Sequence, residues 1–77
     1  MAKLVVYGKI VNQARALRRA GQWRRERYRE LAKAADEVAG LAEEVLKCGD
    51  AQRVLGYEGA AASAYRAALS SAFGVPG

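Results

Sequence analysis

One carboxylate in this sequence lies in a setting that needs an explanation. Glu58 stands between Gly56 and Gly59 in the segment GYEGAAA. Helical spacing places it on one face with four apolar residues, Leu55, Ala62, Tyr65 and Leu69. A carboxylate on such a face needs a cation, a hydrogen-bond network or a metal, and two glycines inside a helix need a reason such as close approach of another backbone. Two interpretations follow. Either Glu58 forms an ion pair with an arginine of the first helix while the glycines permit tight contact between the helices, or Glu58 contacts a ligand.

Two further groups have side chains suited to phosphate contacts. Asn12 and Gln13 fall inside a helical stretch, where asparagine is unfavourable unless its amide forms a specific hydrogen bond. Three interpretations are open: the pair orients Glu58, contacts a phosphate, or is an exposed polar pair. A basic run interleaved with Trp23 and Tyr28 suits nucleic-acid backbones and base stacking, although a solvated helix end has the same composition. The candidate nucleic-acid-binding residues are Lys9, Arg15, Arg18, Arg19, Arg24, Arg25 and Arg27.

The other residue types limit what the chain can do alone. The sequence contains no histidine, which removes the usual general base and the commonest metal ligand. Its single cysteine, Cys48, follows a predicted helix, where no positive field favours a thiolate. Tyr65 can donate a hydrogen bond, but a tyrosine on a core face is usually a packing residue. We therefore expect no complete catalytic site.

Three helices are predicted to position these residues. Apolar residues recur at three- and four-residue intervals, and no strand-like alternation competes. The predicted helices and a short tail cover residues 2–20, 24–47, 50–73 and 74–77. Glycines that favour helix ends follow each helix, at Gly21, Gly49 and Gly74. With Asp50 as N-cap of the third helix, we predict an all-α fold, a single domain over residues 1–77 forming a three-helix bundle with short connections.

Each helix has a predicted buried stripe. In the first helix the stripe is Leu4, Tyr7, Val11, Ala14 and Leu17. In the second helix it is Tyr28, Leu31, Ala35, Val38, Ala42 and Val45. In the third helix it is Val54, Leu55, Ala61, Ala62, Tyr65, Leu69 and Phe73. Trp23 is predicted to lie at the first turn with its ring capping the core.

Charge and length indicate the kind of partner. Residues 3–29 carry nine basic side chains and one acidic one, a net of +8, whereas residues 30–50 carry a net of −4. A basic tract favours phosphate backbones, but it can also pair with the acidic stretch. Because 77 residues bury only a thin core, we expect a homo-oligomer or docking on another chain. The apolar residues 4–7 are too few for a signal peptide or a membrane span, so we predict a cytoplasmic protein without membrane association.

Two patches of the sequence together resemble a known family. Residues 9–19, KIVNQARALRR, are similar to its K-I-x-N-Q … L-L-R-R helix. Residues 54–65, VLGYEGAAASAY, are similar to its L-x-G-x-E-G-x-A-A-x-x-Y helix. The family is the CRISPR-associated spacer-acquisition integrase of antiviral defence, a metal-dependent DNA endonuclease. The two motifs in this order are more specific than either alone.

The resemblance implies a role for Glu58. In the family the glutamate of this motif is one of three ligands of a divalent metal, so Glu58 becomes a candidate ligand of Mg²⁺ or Mn²⁺. The family's other two ligands, a histidine and an acid, belong to a downstream helical region, and its N-terminal β-domain builds the dimer. We therefore expect that this chain corresponds to the opening helices of the catalytic domain and is catalytically incomplete alone. Where a complete site forms, a second polypeptide would supply the missing integrase helices. A fragment, a split gene product, a decayed remnant and a co-opted binding module all fit this expectation.

Three functional hypotheses result. The leading one is a helical integrase fragment, catalytically incomplete, that binds DNA through its basic first half. The alternative is a structural oligomerisation module without a nucleic-acid role, in which basic and acidic segments pair across subunits. The third hypothesis is one half of a split integrase.

Overall fold

Three α-helices joined by short turns account for nearly all of the chain that the structure describes. The computed structural model describes residues 3–74, and its elements are α1 (Lys3–Trp23), a 3-10 turn (Arg25–Arg27), α2 (Tyr28–Lys47) and α3 (Ala51–Phe73). The all-α three-helix prediction is confirmed. The predicted helix start at residue 2 and residues 75–77 of the predicted tail lie outside the described residues. None of the helices within residues 3–74 has the length and apolarity needed to cross a membrane.

Glycine has different roles at the ends of α1 and α3. Gly21 does not end α1, which continues to Trp23, and Gly21 is buried inside the helix. A Cβ atom at Gly21 would lie 3.3 Å from Cδ2 of Tyr28 and 3.6 Å from Cβ of Leu31, so the missing side chain lets the start of α2 approach α1 closely. The predicted stop after α3 is confirmed, because Gly74 adopts a left-handed φ of 67°.

Side-chain hydrogen bonds satisfy backbone groups on both sides of the turn between α2 and α3. The Asp50 side chain accepts a hydrogen bond from the backbone N–H of Gln52 at 2.9 Å, which confirms the predicted N-cap of α3. Lys3, at the start of α1, donates from Nζ to the carbonyl oxygens of Leu46 and Cys48, both at 3.0 Å. These bonds satisfy carbonyls that a helix C-terminus leaves unpaired, and they tie the start of α1 to the end of α2.

The core lies mainly between α1 and α2. The largest fully buried side chains all belong to these two helices: Val6, Ile10, Leu17, Leu31, Val38 and Val45. Within the described residues α3 adds only three buried side chains, Val54, Ala61 and Ala72. Because burial of apolar area is the main stabilising term, α3 is held less strongly than α1 and α2 hold each other.

The predicted stripe is largely correct for α2 and needs correction in α1. Five of the six residues predicted for α2 are buried, and the exception, Tyr28, is 55% exposed at the helix start. In α1, Leu4 is 71% exposed, and Val6 and Ile10 take the core positions instead. Two residues correspond to about 200° of helix rotation, so Leu4 lies nearly opposite Val6.

The predictions at the surface of α3 and at the first turn were also partly wrong. Leu55 and Phe73 are 52% and 41% exposed. Each directly follows a core residue, and one residue turns a helix by about 100°, which carries these side chains out of the interface. Trp23 does not cap the core, because it is the last residue of α1 and is 80% exposed.

Candidate functional site

Glu58 lies in α3 and pairs with α1. Its Oε2 is 3.5 Å from Nζ of Lys9, and its side chain is 31% exposed. The predicted ion pair with the first helix is therefore present, but the partner is a lysine and not an arginine. The Lys9 side chain is 64% exposed, so water competes for both charges and the pair stabilises the bundle only slightly.

The glycines beside Glu58 have no packing explanation within residues 3–74. A Cβ atom at Gly56 or at Gly59 would meet no atom within 4 Å. The predicted tight helix contact at these glycines is therefore wrong for the part of the chain that the structure describes. Both glycines are exposed and lie three residues apart, so the surface of α3 that the two glycines share is open.

The three supporting candidates do not bond to Glu58. Asn12 is exposed, Gln13 is half-buried, and Tyr65 is half-buried against the core. The side-chain hydrogen bonds within the described residues include none from these three to the carboxylate. The Oε1 atom of Gln13 is shielded from solvent without a partner in that range.

Residues 3–74 do not fit a divalent metal by themselves. No three Asp, Glu or Cys side chains in this range lie close enough together to hold an ion. Mg²⁺ requires near-octahedral oxygen coordination, and the one carboxylate here is paired with an ammonium group. Glu58 can thus offer at most one ligand to a site completed from elsewhere.

Several basic candidates are engaged in ion pairs. Arg18 Nη2 lies 3.0 Å from Oδ1 of Asp36 on α2. Arg27 Nη1 lies 3.1 Å from Oε1 of Glu30, one turn away. Together with Lys9, these side chains each contact a different acidic residue, so part of their charge is already compensated.

Arg24 links the first turn to the end of α3. The Cζ atom of its guanidinium is 5.1 Å from the ring centroid of Phe73, and Nη1 is 3.6 Å from Oε1 of Glu26. A cation over an aromatic face contributes about 0.5–1 kcal/mol at exposed sites. Arg24 therefore has a structural contact that explains its position.

The remaining candidates, Arg15, Arg19 and Arg25, are exposed and form no ion pair within residues 3–74. Arg15 and Arg19 are four residues apart in α1, and Trp23 follows after four more, so the three side chains succeed one another along one face. We call Arg15, Arg19 and Trp23 the arginine–tryptophan row. The sequence analysis grouped Trp23 with the basic run and also predicted that its ring caps the core; the second prediction is wrong, because the ring is exposed.

The described residues define a basic three-helix module with a half-buried carboxylate between its first and third helices. Residues 1–75 match the family model for CRISPR associated protein Cas1, and the chain belongs to this family. The resemblance drawn from the two motifs is confirmed. The chain is similar to "CRISPR-associated endonuclease Cas1 1" of Pyrobaculum aerophilum, with 60% identity over 77 residues, which is 100% of this chain and 26% of the relative. The chain thus spans about a quarter of that relative's length. No solved structure matches it significantly.

Proposed function

We propose that this chain is a DNA-contacting helical segment of a Cas1-type endonuclease of spacer acquisition, and that it does not cleave DNA by itself. The observation that carries the proposal is that Arg15, Arg19 and Arg25 stay exposed without an ion pair in residues 3–74. We infer that the polyanionic partner is nucleic acid, because the similar relative is named an endonuclease and endonucleases act on nucleic acid. Guanidinium groups bind phosphates bidentately, so three such groups near one helix suit a DNA backbone.

The ion pairs set the expected salt dependence. Of the seven basic candidates, four already contact a carboxylate: Lys9, Arg18, Arg24 and Arg27. If three guanidiniums displace counterions from duplex DNA, the slope of log K against log salt is about −2.7, whereas seven contacts would give about −6.3. We expect a slope near the smaller value.

A pair of triple variants tests this assignment. Arg15→Gln/Arg19→Gln/Arg25→Gln should abolish most duplex binding and flatten the salt dependence. The matched control, Lys33→Gln/Lys47→Gln/Arg53→Gln, removes the same charge from exposed residues without ion pairs in the described range. Fluorescence anisotropy with labelled duplex DNA compares the two. Equal losses would mean that net charge alone drives binding, and the assignment would fail.

Glu58 is proposed as the carboxylate that this segment gives to a family metal site for Mg²⁺ or Mn²⁺, with the other ligands supplied by another segment or polypeptide. With branched DNA and Mn²⁺, we expect the 77-residue chain to bind without cleaving, and Glu58→Ala to bind equally well. Addition of a polypeptide that carries the remaining integrase helices should permit cleavage with Glu58 but not with Glu58→Ala. Cleavage by the chain alone that Glu58→Ala abolishes would overturn the incompleteness proposal.

A second candidate function, self-association, has an observation in its favour. Glu37 and Glu44 are exposed on α2, lie seven residues apart on one face, and form no ion pair within residues 3–74. This acidic face complements Arg15 and Arg19 of a second copy. A melting temperature that rises with protein concentration, falls with Glu37→Gln/Glu44→Gln and ignores DNA would favour this function over DNA binding.

A further inference from the structure

We propose that Lys9 acts as the counter-cation of Glu58 and keeps divalent ions away from this carboxylate while the chain is by itself. The inference rests on the proposed function, because it concerns the carboxylate proposed there as a metal ligand, and it adds a residue that regulates the same site. The described residues pair Glu58 with an ammonium group and offer no cluster of three ligating side chains. A lysine therefore stands where a completed site would have its metal.

Glu58 differs from the other carboxylates in its burial. Within residues 3–74 it is half-buried, whereas every other aspartate and glutamate is exposed. Its side chain is 31% exposed, against 58–77% for the three other carboxylates that form ion pairs in this range. Partial removal from water makes an uncompensated negative charge more costly, so Glu58 needs a nearby cation more than the others do.

The type of partner suits a replaceable counter-cation. The other three paired carboxylates contact arginines, which are Arg18, Arg24 and Arg27. A guanidinium has a rigid fork of donors that matches a carboxylate, whereas an ammonium is a compact, hydrated point charge on a flexible stem. Nζ of Lys9 lies 3.5 Å from Oε2 of Glu58, which is longer than a charge-assisted hydrogen bond. The lysine therefore compensates the charge without fixing the carboxylate in one geometry.

The helices keep the two charges within reach of each other. Ile10, next to Lys9 on α1, and Ala61, one turn after Glu58 on α3, are both fully buried. The core thereby fixes the backbone positions from which the two charged side chains extend. An ammonium on such a tether stays near the carboxylate even when water separates the two groups, so its charge repels another cation at the same place.

Coulomb's law gives the size of this repulsion. A divalent ion bound to Glu58 would lie roughly 5 Å from the Lys9 ammonium, and in water with physiological salt the repulsion at this distance weakens binding roughly 4- to 15-fold. A single carboxylate holds Mg²⁺ or Mn²⁺ weakly, because these ions need several oxygen ligands. A repulsion of this size is therefore enough to leave Glu58 paired with lysine until other segments supply further ligands.

Paramagnetic broadening of amide NMR signals by Mn²⁺ tests the inference on the 77-residue chain. Glu43 and Glu44 are exposed and form no ion pair within residues 3–74, so their signals should broaden at lower Mn²⁺ concentration than those of Glu58. Lys9→Gln should lower the Mn²⁺ concentration that broadens the Glu58 signals by roughly 4- to 15-fold. Lys9→Arg keeps the charge and should change this concentration by less than about twofold.

Lys33→Gln is the matched control, because Lys33 is exposed on α2 and forms no ion pair in the described range. It removes the same charge and should change the Mn²⁺ concentration at Glu58 by less than about twofold. Equal effects of Lys9→Gln and Lys33→Gln would overturn the inference, because net charge would then explain both. A loss of helix content in Lys9→Gln, measured by circular dichroism, would also overturn it, because the pair would then be a support of the fold.

The remaining outcomes separate the inference from the proposed function. Broadening near residue 58 that persists in Glu58→Ala would arise from another group and would overturn the inference alone. Cleavage in the complemented assay that Glu58→Ala leaves unchanged would overturn the proposed metal role together with the inference that rests on it. The Mn²⁺ titration contains no nucleic acid, so none of its outcomes depends on the arginine–tryptophan row.

Discussion

Replacing the glycines beside Glu58 with alanine tests whether these glycines are needed for the stability of the bundle or for a functional site. Gly56 and Gly59 lie inside α3, and a Cβ atom at either would meet nothing within 4 Å. Alanine is more favourable than glycine in a helix interior by about 0.8–1.0 kcal/mol. Each change to alanine should therefore raise the free energy of unfolding by nearly this amount.

The two gains should add, because the two positions share no neighbouring side chain that a methyl group would contact. Gly56→Ala/Gly59→Ala should gain about 2 kcal/mol, which corresponds to a rise of about 8–16 °C in melting temperature for a domain of this size. Thermal melts and urea titrations followed by circular dichroism measure both quantities. Gly40→Ala is the matched control, because it is another helix-interior glycine with open space around it, and it should gain about half as much.

A loss of stability in the double variant, beside a gain in Gly40→Ala, would refute this reasoning. It would mean that the open face of α3 is covered in solution, and a melting temperature that depends on protein concentration would then identify a second copy as the cover. A different result is that the double variant gains stability in the isolated chain and yet abolishes nuclease activity when it is made in a longer Cas1 protein. That pair of results would show that the glycines serve a contact outside residues 3–74.

Three further substitutions test the core and the ion pair. Glu58→Gln should change the unfolding free energy in urea by less than about 1 kcal/mol, because its partner is mostly exposed; a larger loss would mean that the pair is a main support of α3. Leu31→Ala should cost about 2–5 kcal/mol and strongly reduce helix content at 37 °C, because Leu31 is fully buried; unchanged melting would contradict the described core. Gly21→Leu should destabilise by about 1–3 kcal/mol through crowding against Tyr28, and a rise in melting temperature would contradict the close approach of α1 and α2.

The helices were predictable because their apolar spacing is direct evidence of a buried face. α2 is the clearest case, since Leu31, Val38 and Val45 recur every seven residues among charged residues and all are buried. α3 was harder because residues 60–62 are three consecutive alanines. Alanine is compatible with either face of a helix, so only the positions of α1 and α2 decide which alanine is buried.

The glycines show a second limit of sequence reasoning. Gly21 permits close packing, Gly74 ends a helix with positive φ, and Gly56 stands in open space. All three roles are written with the same residue type in the sequence. The difference lies in what approaches the backbone from another helix, which local sequence does not encode.

For the site, the residue types were recognised but their partners were not. The mostly apolar face predicted that Glu58 needs an arginine, a hydrogen-bond network or a metal. Which basic residue of α1 reaches the carboxylate depends on how α1 and α3 are rotated against each other. Lys9 faces α3 and Arg18 faces Asp36 on α2, a division set by helix packing. Trp23 was predicted at the first turn with its ring capping the core, and the structure places it at that turn with its ring exposed.

The ion-pair pattern changes how the positive charge of the first half should be counted. The net of +8 over residues 3–29 overstates what a nucleic acid meets, because four of the basic candidates already contact carboxylates. What remains on α1 is Arg15 and Arg19, on the same helix whose Lys9 pairs with Glu58. Lys9 and Arg19 are separated by a helix rise of about 15 Å. Under the proposed function, DNA held by Arg15 and Arg19 along α1 would therefore run toward Glu58, so the same helix would contact the DNA and pair with the carboxylate proposed as a metal ligand.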